Sequence, residues 1–327
     1  MSSDTILKIL GVVISLNLAT GCASLEYHSG VPGQAYVATG NDLVSRYMPV
    51  IVSQNPEYSY NRIGRPDIIE VGQKYRLGID SEVAAVYYEK RFFETTRGSY
   101  TNLIYRIHFA KVPMSLLPFN LTTGKNVGLI FIVTLNDRQQ PVLITMVHTC
   151  GCYLAMVPTD NLQEDAFPEG WNTDSQHVYG ATLPGLLRIG HTTGNNKFIV
   201  VLKNGTHRVI HIDAAQIDEL KSQYGSISMV MKPASELEAL MPDNGQHSVS
   251  MFETDGPRRG YVRDSHKPFE FLFMSWWAMD WYVGVDKLYG KPGQDGPPFN
   301  TSLKPWARSE SDMRDFPRFL RYWGWHL

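Results

Sequence analysis

Cysteine is scarce in this chain, with three among 327 residues, and neither sign of charge dominates: 30 Lys and Arg face 32 Asp and Glu, a net charge of -2. So few cysteines exclude a disulfide-stapled miniature fold. The charge balance excludes a partner held by electrostatics alone, and the basic residues are dispersed among acids rather than forming the stripe that nucleic acid recognition needs. Beyond residue 22 no uncharged apolar run reaches the length of a spanning helix. Internal repeats and low-complexity tracts are missing too. There is no Gly-x-Ser-x-Gly elbow, no phosphate-binding Gly-x-x-x-x-Gly-Lys loop, no His-Glu-x-x-His and no dinucleotide fingerprint. Those absences weigh against an enzyme without excluding one whose groups converge from distant segments.

What is present begins with Ile9 to Ala19, an apolar segment too short to span a bilayer, followed by Leu18-Ala19-Thr20-Gly21-Cys22 with small residues beside the cysteine. This pattern resembles the signal peptide of bacterial lipoproteins, whose lipobox ends in a cysteine that is acylated and becomes the mature N-terminus. The resemblance covers residues 1–22. It implies removal of residues 1–21, lipid (palmitate-type) attachment at Cys22, a bilayer as partner and an oxidising cell envelope. Ala23, a residue other than aspartate after the cysteine, further implies the outer membrane, facing the periplasm. Each buried methylene of such an anchor contributes about 0.8 kcal/mol, so several chains on one cysteine hold a domain at a membrane almost irreversibly. Removing residues 1–21 takes away Lys8 and Asp4, so the net charge of the mature chain stays at -2.

Residues 22–66, rich in Gly, Ser, Asn, Tyr and Pro, are expected to form an irregular tether, and 67–327 a single domain with a sub-boundary at the breaker-rich stretch 290–299. The domain reads as α+β with a largely antiparallel sheet, several packed helices and an aromatic C-terminal helical region. Ser81 to Phe93, Ala214 to Ser222 and Ser235 to Leu240 are read as helices. From Tyr100 the period is two: Leu103, Tyr105, Ile107 and Phe109 fall on one side, Asn102, Ile104, Arg106 and His108 on the other. Val127 to Leu135 is a nearly continuous apolar run, as in a strand covered on both faces. With Pro141 to Val147 it predicts a hairpin at the centre of the sheet. Asn204-Gly205 predicts a two-residue type I′ turn pairing Leu202 with His207, Val200 with Val209 and Phe198 with His211. Ser226 to Met231 and Ser248 to Phe252 read as further strands.

His148-Thr149-Cys150-Gly151-Cys152 is the best candidate site. In an extended backbone His148, Cys150 and Cys152 share a face, which gathers an imidazole and two sulfurs fit for zinc or copper. His207 and His211, or His108, are the candidates to complete a metal set. Once Cys22 is lipidated, Cys150 and Cys152 are the only thiols, and in an oxidising envelope they close a small disulfide; this structural reading ranks ahead of a metal site. His207 and His211 default to core histidines.

Phe269 to Tyr282 is apolar around most of a helix, broken by Glu270 and Asp280. Trp276, Trp277 and Trp281 suit a lipid interface, yet the segment has no Lys or Arg, so a buried helix is the expectation. Phe316 to Trp325 reads as a docked aromatic plug. The functional expectation is a membrane-anchored envelope lipoprotein serving as a binding or structural component, with an envelope protein or a small molecule as further partner. The alternative is a metal- or thiol-dependent envelope enzyme centred on His148, Cys150 and Cys152.

Overall fold

The computed structural model describes residues 31–327 except 73, 118, 190–195, 217–222, 243, 244, 246 and 295. Cys22 and the signal segment lie outside the described residues. Gly33–Leu327 clusters as one compact unit.

The architecture is mostly β rather than α+β. Among the described residues fourteen strands accompany only three α-helices: α1 (Leu43–Tyr47), α2 (Pro268–Ala278) and α3 (Phe316–Tyr322). Ten strands form one sheet. In spatial order they are β13 (Val209–Gln216), β12 (Asn196–Leu202), β2 (Val50–Gln54), β1 (Gly33–Ala38), β14 (Gly225–Pro233), β5 (Ala85–Thr95), β6 (Gly98–Val112), β7 (Gly124–Leu135), β8 (Pro141–His148) and β9 (Leu154–Pro158). The sheet is mixed, because β12 with β2, β1 with β14 and β14 with β5 run parallel. Two hairpins stand apart, β3 (Arg65–Val71) with β4 (Lys74–Asp80) and β10 (Ser175–Val178) with β11 (Ala181–Pro184).

Side chains from both ends of the sheet meet in one cluster, from Ile212 and Val209 of β13 to Ala155 and Val157 of β9. The sheet therefore curls around its own inner face, and the Tyr153 hydroxyl, just before β9, donates to the Val209 carbonyl at 3.3 Å. Outer-face residues fall into two further clusters, one under α3 and the C-terminus, the other under β3, β4 and residues 249–262.

Several sequence expectations are corrected. Ser81 to Phe93 is not a helix: its β-branched and aromatic content (Val86, Tyr87, Tyr88, Phe92, Phe93) goes into β5, paired on both sides. Ala214 to Gln216 continue β13, and the rest of that expected helix lies outside the described residues. Ser235 to Leu240 holds only a 3-10 turn, Ala234–Glu238. Ser248 to Phe252 makes isolated bridges through Val249 and Phe252 instead of a strand. Residues expected to be irregular supply β1, α1 and β2. The β7–β8 hairpin is next to the β9 edge, not at the centre.

The period-two pattern of β6 and the apolar run of β7 match their burial. Leu103, Tyr105, Ile107 and Phe109 face the inner cluster while Ile104 faces the outer one. On β7, Leu129, Phe131 and Val133 point inward while Ile130 and Ile132 point outward. Phe316, Phe319, Leu320 and Trp325 are buried, while Arg318 and Arg321 are exposed.

Candidate functional site

β8 ends at His148, and residues 149–152 form a tight turn in which Gly151 N–H donates to His148 O at 2.7 Å and His148 N–H to Tyr153 O at 3.1 Å. Gly151 has φ +81°, and a β-carbon there would collide with the Asn300 carbonyl. Only glycine combines that backbone with that approach. The turn brings Cys150 and Cys152 within 5.4 Å (Cα to Cα), joined as a disulfide.

His148 is buried beside them. Its Nε2 is 3.4 Å from the His207 carbonyl and its Nδ1 3.9 Å from Cys152 Sγ. With Nε2 donating to that carbonyl, Nδ1 is assigned as the bare nitrogen facing sulfur. Burial, reinforced by Lys267, Arg208 and His207, pushes the imidazole pKa well below its ordinary value, so the ring is neutral. From the other side Lys267 Nζ approaches Cys152 Sγ at 3.9 Å and Asp286 at 3.6 Å. Both charged groups are almost completely buried. Asp286 also accepts the Thr149 hydroxyl at 2.7 Å and the Ser265 hydroxyl at 3.5 Å. Burial raises the Asp286 carboxyl pKa, against the opposing pull of Lys267.

The nitrogen and sulfur atoms of His148, Cys150 and Cys152 lie within 4.8 Å of one another, and no further His, Cys, Asp or Glu among the described residues joins them. The imidazoles of His207 and His211 do not join the set, and the hairpin that carries them has a register different from the expected one. Leu202 pairs with Val209, Val201 with His211 and Phe198 with Ala214. The connection is therefore longer than two residues. His207 sits in it at φ +55°, its ring stacked on Phe109 at 3.9 Å and its Nε2 2.8 Å from the Tyr60 carbonyl. His211 is half-buried on β13. His108 is fully buried on the outer side of β6, edge-on to Tyr87. A tetrahedral zinc site wants four donors, and sulfurs bonded to each other are not thiolates.

The disulfide borders a cavity of about 180 Å³ beneath α2, whose other walls include Glu270, Met274, Lys287, Asn300 and Arg308. Glu270 is 4% exposed with no partner for Oε2, and burial raises its pKa. Room for that carboxylate is made by Gly284, at φ +74°, where a β-carbon would overlap Oε2. Lys287, also buried, donates to Asn300 Oδ1 at 3.0 Å, and desolvation brings its pKa down to about 8.

α2 itself is inverted with respect to a core helix. Its buried residues are Glu270, Ser275 and Ala278, while Phe271, Leu272, Phe273, Trp276 and Trp277 are exposed. Met279 ends the helix in the left-handed conformation, and Trp281 beyond it is 76% exposed. The expectation of a buried aromatic helix is overturned. Phe119 packs on Phe269 and Phe273 with ring centroids 5.0 and 6.0 Å away, which attaches the exposed side chains of Met114, Leu116 and Leu117 to the same region. At the other end Arg308 bonds the Ala278 carbonyl and pairs with Asp280 at 3.7 Å.

No protein-family model matches the chain, and neither a curated protein nor a solved structure matches it. No helix among the described residues is long and apolar enough to cross a membrane.

Proposed function

We propose that this chain is an envelope lipoprotein, anchored through acylated Cys22, that lays α2 with Met114, Leu116, Leu117 and Phe119 against the bilayer and serves as a binding or structural component. The observation that carries this reading is the inversion of α2: carboxylate and hydroxyl turned into the protein, Trp276, Trp277 and neighbouring apolar side chains turned out, with exposed Trp281 just beyond the helix. A surface of that kind marks an interaction site, since monomeric soluble proteins rarely leave such patches uncovered. Trp settles at the lipid interface, where its ring is half apolar and half wet. The polar half of the amphipath is the domain itself, so the helix needs no Lys or Arg of its own. The acyl anchor identifies the bilayer as occupant by keeping it within reach, and the near-neutral net charge assigns the attraction to apolar burial rather than to anionic lipid.

Fractionation with mass analysis tests the anchor. The native chain should sediment with membranes and carry acyl mass on Cys22, and Cys22→Ser should lose the acyl mass and sediment less completely. An unmodified Cys22 thiol on a membrane-free protein would refute the reading. A second reading, a thiol-dependent activity, is supported by Lys267 Nζ at 3.9 Å from Cys152 Sγ, a buried cation that would favour thiolate on reduction. It requires the cystine to be reducible in the folded protein at a rate that Lys267→Met slows.

A further inference from the structure

The outer face of the sheet carries a second, larger cavity of about 610 Å³, walled by Tyr87, Phe252 and Tyr289 together with Ile104 and Ile130. Arg106 lines it from β6, on the side opposite Tyr105 and Ile107. Its side chain is a buried cation; Asp286, held by Lys267 at 3.6 Å, acts on it through space without touching it. Only 5% of the residue is exposed, and among the described residues no carboxylate comes within 4 Å of its guanidinium. Nη1 donates to the Lys287 carbonyl at 2.8 Å, and the guanidinium carbon lies 5.2 Å from the Phe252 ring centre. Nε and Nη2 meet no acceptor. Burial lowers the Arg106 pKa to about 10, which leaves it charged at neutral pH.

The chemistry of the vacant donors is specific. Nε and Nη2 lie along one edge of a guanidinium, the edge that receives both oxygens of a carboxylate in a forked pair. Arg91, Lys291 and Glu89, also around the cavity, engage one another, although Arg91 Nε meets no acceptor either. Arg91 bonds Glu89 at 2.7 Å, donates to the Tyr289 and Gly290 carbonyls and covers the Tyr289 ring at 4.2 Å; Lys291 adds a contact to Glu89 at 3.8 Å. Arg91, Arg106 and Lys291 against Glu89 and exposed Glu238 leave one positive charge unmatched among the lining residues.

We propose that this cavity is a binding site for a small monoanionic ligand, a single carboxylate on an aromatic or apolar body, with the carboxylate forked on Arg106 and the body against the tyrosine and phenylalanine rings. The volume falls in the range of small-molecule sites. The site is on the far side of the sheet from the inner cluster and stands whether or not α2 touches lipid.

Calorimetric titration of the full chain with 4-phenylbutyrate, its uncharged amide and inorganic phosphate tests the proposal. Expected is saturable binding of the acid with one site per chain, the amide weaker by about tenfold or more, phosphate weaker than the acid, and loss of the acid preference in Arg106→Gln. Equal affinity for acid and amide, no saturable binding of the acid, phosphate as tight as the acid, or an Arg106→Gln chain that keeps the preference would overturn it. Should Arg106→Gln fail to fold, the comparison of acid, amide and phosphate on the unaltered chain decides alone.

Discussion

Replacing Trp276, Trp277 and Trp281 together by Ser removes most of the aromatic surface that α2 offers to a bilayer. These rings are 74%, 50% and 76% exposed, so little of the fold rests on them. Burying a large apolar side chain completely is worth roughly 1.5–3 kcal/mol, and scaling by exposure gives about 1–2 kcal/mol per ring and about 3–6 kcal/mol for the three. Since about 1.4 kcal/mol is a factor of ten, the triple variant should partition onto neutral phosphatidylcholine vesicles roughly two to four decades more weakly. The assay needs a chain without acyl groups, so that the anchor does not mask the effect; Cys22→Ser supplies that background. Sedimentation gives the partition coefficient, and quenching of Trp emission by brominated lipid gives depth. Because the attraction is apolar, 0.5 M salt should leave it nearly unchanged. Equal partitioning of parent and triple variant, or emission that brominated lipid leaves unquenched, would refute the reasoning and turn the aromatic face over to a protein partner.

Other predictions concern the interior. Lys267→Met leaves Asp286 buried without its cation and should destabilise the fold by about 3–5 kcal/mol, measured by urea unfolding. Gly151→Ala places a β-carbon against the Asn300 carbonyl at φ +81° and should cost about 1–3 kcal/mol by the same measurement, while the conservative Gly72→Ala, with open space around it, costs less. Thiol titration of the unfolded acylated chain should find no free thiol before reductant and two after it, since Cys150 and Cys152 are paired. His207 is held neutral by burial, its pKa down to about 3 from the ordinary 6.5. The unfolded chain therefore binds the extra proton between those values: the contribution to stability is complete above pH 6.5 and falls by about 1.4 kcal/mol per unit as pH drops toward 3. His207→Asn, which tolerates the positive φ, should flatten the pH dependence of unfolding by that slope over that window.

Strands with an unambiguous local pattern were legible in the residues alone. β7 could be read because a nearly unbroken apolar run has only one comfortable setting, between two covered faces, and β6 because its alternation puts large apolar side chains on one side. The β12–β13 hairpin was legible as a hairpin but not in register, since Asn204-Gly205 opens a longer connection that lifts His207 off the strand. For β5 the spacing of Val83, Val86, Tyr87 and Lys90 fits a helix, and pairing with β6 and β14 overrides it. Close sequence neighbours at His148, Cys150 and Cys152 announced their own cluster. Nothing local announced Lys267, which comes to Cys152 from 115 residues away.

By itself the sequence determined where local periodicity and turn chemistry leave one choice: the β6–β7–β8 meander, the glycine between two sulfurs, the aromatic character of the C-terminal third. What covers each face was decided only by the tertiary structure. Periodicity reports which residues share a side, and it is blind to whether that side meets protein or solvent; so an apolar helix reads as core although its carboxylate points inward, and the alternation that sets Arg106 opposite Tyr105 does not tell that its charge lies buried beside an aromatic cavity.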